Sequence, residues 1–80
     1  MFTAEKITAL IEEALPDCKV RVLDPAQDGR HFQAWVASSA FEDQLRVKQH
    51  RLVYAALGDH MKEDIHALQL TTYKLDKWPY

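Results

Sequence analysis

Hydrophobic positions along the chain follow two rhythms, one repeating every three to four residues and one every second residue. The first begins near the N-terminus, where Ile7, Leu10, Ile11, Ala14 and Leu15 stand at helical spacing. Thr3 is placed to cap this helix, Phe2 to staple against Ile7, and Pro16 to close it. Over residues 18–24 the sequence CKVRVLD alternates, with Cys18, Val20 and Val22 on one side and Lys19 and Arg21 on the other, which predicts a strand with one dry face. "PAQDG" then breaks the chain at Pro25 and the Asp28-Gly29 pair, and a second strand is expected from about His31 to Ser38, completing an antiparallel hairpin. Between Phe41 and Met61 helical spacing returns, with Leu45 alone in an early polar part and Val53, Leu57 and Met61 in a later stripe. This predicts a short helix near 43–48 and a longer one near 50–62. After a turn at Glu63 and Asp64, IHALQLTTYKL at 65–75 alternates as a third strand, and a short tail carries Trp78. The predicted order is α-β-β-α-α-β: an α+β fold whose three-stranded mixed sheet is covered on one face by helices.

Composition narrows the function classes. Eighty residues make one domain, 1–80, with 48% hydrophobic and 28% charged residues, a balance that folds rather than stays disordered. Ten Lys and Arg against twelve Asp and Glu give a net charge of −2, so no global positive field holds nucleic acid or an anionic membrane, and a nucleic-acid role requires a local patch. One cysteine, Cys18, excludes an internal disulfide and an all-cysteine metal cluster. No apolar run approaches the roughly 18 residues of a membrane span, and MFTAEKI lacks the pattern of a signal peptide, so a reducing cytoplasm is the expected compartment.

Topology brings the chemistry-bearing residues together. A strand that returns through helices to the same sheet is expected to run parallel to the first, which aligns the N-terminal ends of the second and third strands. His31 opens one and His66 nearly opens the other, so both imidazoles belong to one rim together with the turn carrying Asp24 and Asp28. Side-chain parity works against this pairing. His66 shares its face with Leu68 and Leu70, the expected core face, whereas His31 points opposite to Phe32, Ala34 and Val36, so only bending at the strand ends lets both reach one ligand.

The runs "HFQAWVASSAF", "QHRLVYAAL", "IHALQL" and "KWPY" together resemble the BolA family, over nearly the whole chain from Val20 to Trp78. The resemblance implies a class II KH-like fold, in agreement with the order read from periodicity. It also implies a partner, a monothiol CGFS glutaredoxin, with which the chain forms a heterodimer sharing a bridging 2Fe-2S cluster, and a role in cluster trafficking or iron and redox sensing. Glutaredoxin cysteine and glutathione then ligate one side. The histidine of the Ile-His-Ala motif, His66, and a ligand from the loop between the first two strands supply the other. That loop holds no cysteine, so His31 is the second candidate and the chain resembles the histidine-bearing branch. Neutral nitrogen ligands lower the charge of such a cluster and raise its potential, and they bind only when deprotonated. The isolated monomer is expected to hold no cluster.

Each candidate also has a structural reading. His66 would serve as a packed core histidine and His31 as a solvated turn residue. His50 is expected in a surface or capping role at the start of the long helix, and His60 near that helix's C-terminus, where the dipole favours a cation. Cys18 reads as a small buried hydrophobe. Trp35 and Trp78 read as sheet packing or as partner contacts. The competing function is DNA binding and transcription regulation, through Arg46, Lys48, His50 and Arg51 with Arg30 nearby. Against it stand Glu42 and Asp43 just upstream and the lack of a Gly-x-x-Gly loop. The family's Phe-x-Gly reads Phe41-Glu42-Asp43 here, and its Arg-His-Arg reads Gln49-His50-Arg51. An enzyme is not expected, since no nucleophile elbow or phosphate loop is present. A plain glutaredoxin adaptor would use the same rim and the helix carrying Arg51 and Tyr54, and a homodimer is compatible with the residues as well.

Overall fold

The structure, a computed structural model, describes residues 2–80. Helix α1 spans Ala4–Ala14 and is capped as expected, the Thr3 hydroxyl accepting the Lys6 N–H at 3.2 Å. Ile7 and Ile11 are buried, with Phe2 and Leu15 closing the core at either end. Ala14, which spacing assigns to the same stripe, is exposed: the backbone turns extended at Leu15 and swings that side chain inward instead.

Strand β1, Lys19–Leu23, pairs antiparallel with β2, His31–Ala37, and β2 pairs parallel with β3, Ala67–Tyr73, in the order β1-β2-β3. The register stacks Val20 on Val36, Val22 on Ala34, Phe32 on Leu68 and Ala34 on Leu70, so one face of the sheet is apolar except at Thr72, which pairs with Val36. The helices cover that face around Phe41, Val53, Leu57 and Ile65, all buried. On the open face Trp35 is half-buried by the chain's own tail, with Tyr80 at 5.8 Å between ring centres and Arg21 stacked 4.5 Å above the Tyr80 ring. Trp78 completes this aromatic group between Tyr73 and Tyr80, so both tryptophans pack within the chain.

The segment between β2 and β3 departs from the expected helices near 43–48 and 50–62. A 3₁₀ turn at Ser39–Phe41 comes first, then one helix, α2, over Arg46–Leu57, then a single turn, α3, at His60–Glu63. The break lies not at the polar Gln49-His50 pair but at Gly58, whose φ of 57° and ψ of −136° suit glycine and end α2. Gln49 is buried because its side chain is fully used. Its Nε2 donates to the Phe41 and Gln44 carbonyls at 3.2 and 3.0 Å, and its Oε1 accepts the Thr72 hydroxyl at 2.6 Å. One buried amide therefore ties the start of α2 to β3 and to the preceding loop. His50 thus lies inside α2, and His60 opens α3 rather than ending a long helix.

Candidate functional site

The loop that delivers His31 is built from two aspartates. Asp24 accepts the Gly29 N–H at 3.1 Å, and Gly29 takes the left-handed conformation, φ 68°, that the tight turn requires. Asp28 Oδ1 accepts the N–H groups of Arg30 at 2.9 Å and His31 at 3.1 Å, and its Oδ2 lies 2.8 Å from His31 Nδ1. These contacts hold the Asp28 carboxyl well below its usual range, at about 2, through the Arg30 N–H first and then the His31 side chain and N–H. An ionised carboxylate only accepts, so His31 Nδ1 carries the proton in this contact, and in the neutral ring Nε2 is left with the lone pair. A half-exposed ring is thereby fixed in tautomer and direction.

His66 reaches the same rim through a kink. The Arg30 carbonyl accepts two consecutive N–H groups, from His66 at 2.8 Å and Ala67 at 3.1 Å, so the chain bends as it joins β3. Ile65, one residue earlier, takes the inward position, and His66 is exposed. The expectation that His66 faces the core is therefore wrong, because alternation does not extend through a strand end where one carbonyl serves two donors. The rings of His31 and His66 lie 5.0 Å apart between centres, at 66° to one another. Two imidazoles on one tetrahedral metal, each bound through a nitrogen at about 2 Å, place their ring centres roughly 5 Å apart. The centre-to-centre spacing of His31 and His66 is that of two imidazoles on one metal ion. Among the described residues no group of three or more His, Cys, Asp or Glu is placed to hold a metal, so a metal bound by this pair would draw its remaining ligands from another molecule.

The other candidates scatter. Arg46, Lys48 and Arg51 are exposed on α2, whereas His50 is half-buried, with Nε2 buried and unpartnered and its ring beside Tyr54. Arg46 instead joins Lys74 and Lys77 around a separate pocket. Sequence reading missed those two lysines as partners of Arg46, and the signal for them is topological: they follow the strand that lies beside the start of α2. His60 Nδ1 contacts Asp64 at 2.6 Å and its ring packs on Phe2. Cys18 is half-buried, and burial followed by the Glu12 carboxylate raises its thiol above the ordinary value, the state of an unreactive thiol. No helix among the described residues is long and apolar enough to cross a membrane.

Comparison with known proteins identifies the family of this fold. The family profile for "BolA-like protein" matches residues 9–77. A curated relative from Escherichia coli, "DNA-binding transcriptional regulator BolA", is 27% identical across 98% of this chain and 81% of its own length. "Protein BOLA2" of Arabidopsis thaliana is 37% identical across 88% of this chain and 75% of its own. Among solved structures, a bolA protein homologue from Coxiella burnetii superposes with a TM-score of 0.84 at 43% identity over the full length of both chains. BolA1 from Arabidopsis thaliana gives 0.80 at 28% identity over 95% of each. With its α+β order, its parallel β2–β3 pair and a match over nearly every residue, the chain belongs to the BolA family.

Proposed function

We propose that this protein acts as the histidine-bearing partner of a monothiol glutaredoxin, sharing a 2Fe-2S cluster at the rim formed by His31 and His66. The observation that supports it is the ring pair at 5.0 Å, one member of which is locked by Asp28 with Nε2 free. His66 and His31 supply two neutral nitrogens, and glutaredoxin cysteine and glutathione supply the thiolates. Bound there, the cluster would provide one-electron redox chemistry or a transferable iron-sulfur unit. Nitrogen ligation on one iron favours a higher potential and easier release than thiolates alone, which suits trafficking or sensing in a reducing compartment such as the cytoplasm. The chain itself positions ligands and performs no catalysis.

Mixing the purified protein with cluster-loaded CGFS glutaredoxin tests the reading. A one-to-one complex on sizing and altered visible absorption and circular dichroism of the cluster are expected. His66→Ala should abolish the spectral change while leaving the fold intact, since the residue is exposed. Wild-type spectra that persist in this variant would remove His66 from the site. A complex without any spectral change would instead leave an adaptor that binds glutaredoxin alone.

DNA binding is the second reading. It draws on the name of the Escherichia coli relative and on the exposed cations Arg46, Lys48 and Arg51, without His50. So few contacts give weak, salt-sensitive binding, and a flat dependence of affinity on salt would eliminate it.

A further inference from the structure

At the end of β3 away from the imidazoles, a cavity of about 370 Å³ is lined by Arg46, Gln49, Thr72, Tyr73, Lys74 and Lys77. Three of these six are cations and none is acidic. Among the described residues the ion pairs are His31 with Asp28 and His60 with Asp64, so Arg46, Lys74 and Lys77 have no carboxylate partner. The neutral floor is saturated as well. Gln49 spends both ends of its amide on Phe41, Gln44 and Thr72, so the pocket presents a surplus of donors and no carboxylate to meet them. The first turn of α2 adds to the positive field, since it carries Arg46 and no acidic side chain. Gathering three like charges in a chain of net charge −2 costs free energy that an entering anion recovers.

We propose that this pocket binds a phosphate group, independently of the imidazole rim. The chemistry selects phosphate over a simple carboxylate. Several acceptor oxygens and close to two negative charges match the planar fork of Arg46 and two mobile ammonium groups, whereas a carboxylate leaves most of the positive charge unmet. Tyr73 adds an aromatic wall, so the phosphate of a nucleotide suits the site as well as the free ion.

Titration of the ¹⁵N-labelled protein with inorganic phosphate, with AMP and with a short single-stranded oligonucleotide, at constant ionic strength, tests the assignment. Saturable shifts are expected at the amides of Arg46, Thr72, Tyr73, Lys74 and Lys77. Arg46→Gln and Lys74→Gln should each weaken phosphate binding roughly three- to fivefold, the scale of one solvent-exposed charge contact, while retaining the dispersed spectrum of the folded chain. Lys62→Gln, which removes the same charge outside the pocket, should change it less than twofold. AMP binding as strongly as the oligonucleotide would identify a small phosphorylated ligand. Affinity that climbs with oligonucleotide length would identify a nucleic-acid backbone, with the same pocket residues responding. Shifts spread evenly over Lys19, Arg30 and Lys62, an equal loss in Lys62→Gln, or no saturation with any probe would overturn the proposal. Phosphate binding that survives in His66→Ala separates this outcome from that of the metal reading.

Discussion

The parallel pair β2–β3 carries nitrogen donors at both ends, about 20 Å apart along seven-residue strands, and the two ends are built differently. At the start of the strands the donors are imidazoles, and the polar network runs through one of them: Asp28 takes two backbone N–H groups and the His31 ring. At the finish the donors are Arg46, Lys74 and Lys77, and the network lies beneath them, in Gln49, leaving the charged heads free. The first arrangement fixes one direction for a lone pair, which a metal demands. The second fixes only a place for charge, which is sufficient for an anion. Direction needs hydrogen bonds to the functional group itself, while charge needs only proximity.

Breaking the floor of the cationic end should have the largest effect. Gln49→Ala leaves two carbonyls and a hydroxyl without their partner and should cost about 3 kcal/mol in urea denaturation. The His31 and His66 resonances in the folded fraction should stay unchanged. If those signals move too, the ends are coupled and the contrast between them fails. Gly58→Ala should cost about 2 kcal/mol, entirely through backbone strain, because a methyl group there meets nothing within 4 Å. That substitution disturbs the turn that returns the chain toward His66, so ring shifts at the rim should exceed those at Lys74. Asp28→Asn keeps the shape of the loop but no longer demands a proton on His31 Nδ1. The ¹⁵N shifts of the free protein should report mixed tautomers, and cluster retention with glutaredoxin should fall roughly tenfold. A tautomer that stays fixed in this variant would show that the carboxylate does not orient the ring.

The smallest effects concern titration. Because folding lowers the Asp28 carboxyl from 3.8 to about 2, its contribution to stability is complete above pH 4 and is lost as pH falls from 4 towards 2. The stability of Asp28→Asn should accordingly fall less steeply across that window, the two proteins differing most near neutrality, where wild type keeps the full contribution, and converging towards pH 2. Cys18, its thiol raised by burial and by Glu12, should alkylate more slowly than a free cysteine at pH 8. Rapid labelling at that pH would mean that the strand start is open.

Much of the fold was legible because period and punctuation agreed. Thr3 and Pro16 bracket α1, alternation marks β1 and β2, and the Asp28-Gly29 turn joins them. The middle segment was not, because a polar residue in a helix reads as a surface or a break, and Gln49 is neither: its partners at Phe41, Gln44 and Thr72 are distant or irregular in sequence. At the site, both histidines were recognisable as rim residues from topology. Their mutual orientation was not, since parity sends His66 inward and only the double donation to the Arg30 carbonyl reverses it. His50, beside exposed Arg51, is half-buried with its Nε2 out of solvent, which its place in the sequence does not announce.

By itself the sequence determined the order of elements, the apolar face of the sheet and the residues able to act as ligands, because these depend on periodicity, turn chemistry and side-chain type. Only the tertiary structure decided which of them meet. The 5.0 Å approach of His31 and His66 and the grouping of Arg46 with Lys74 and Lys77 both depend on backbone hydrogen bonds and a buried amide linking segments far apart in the chain, and no local pattern encodes such links.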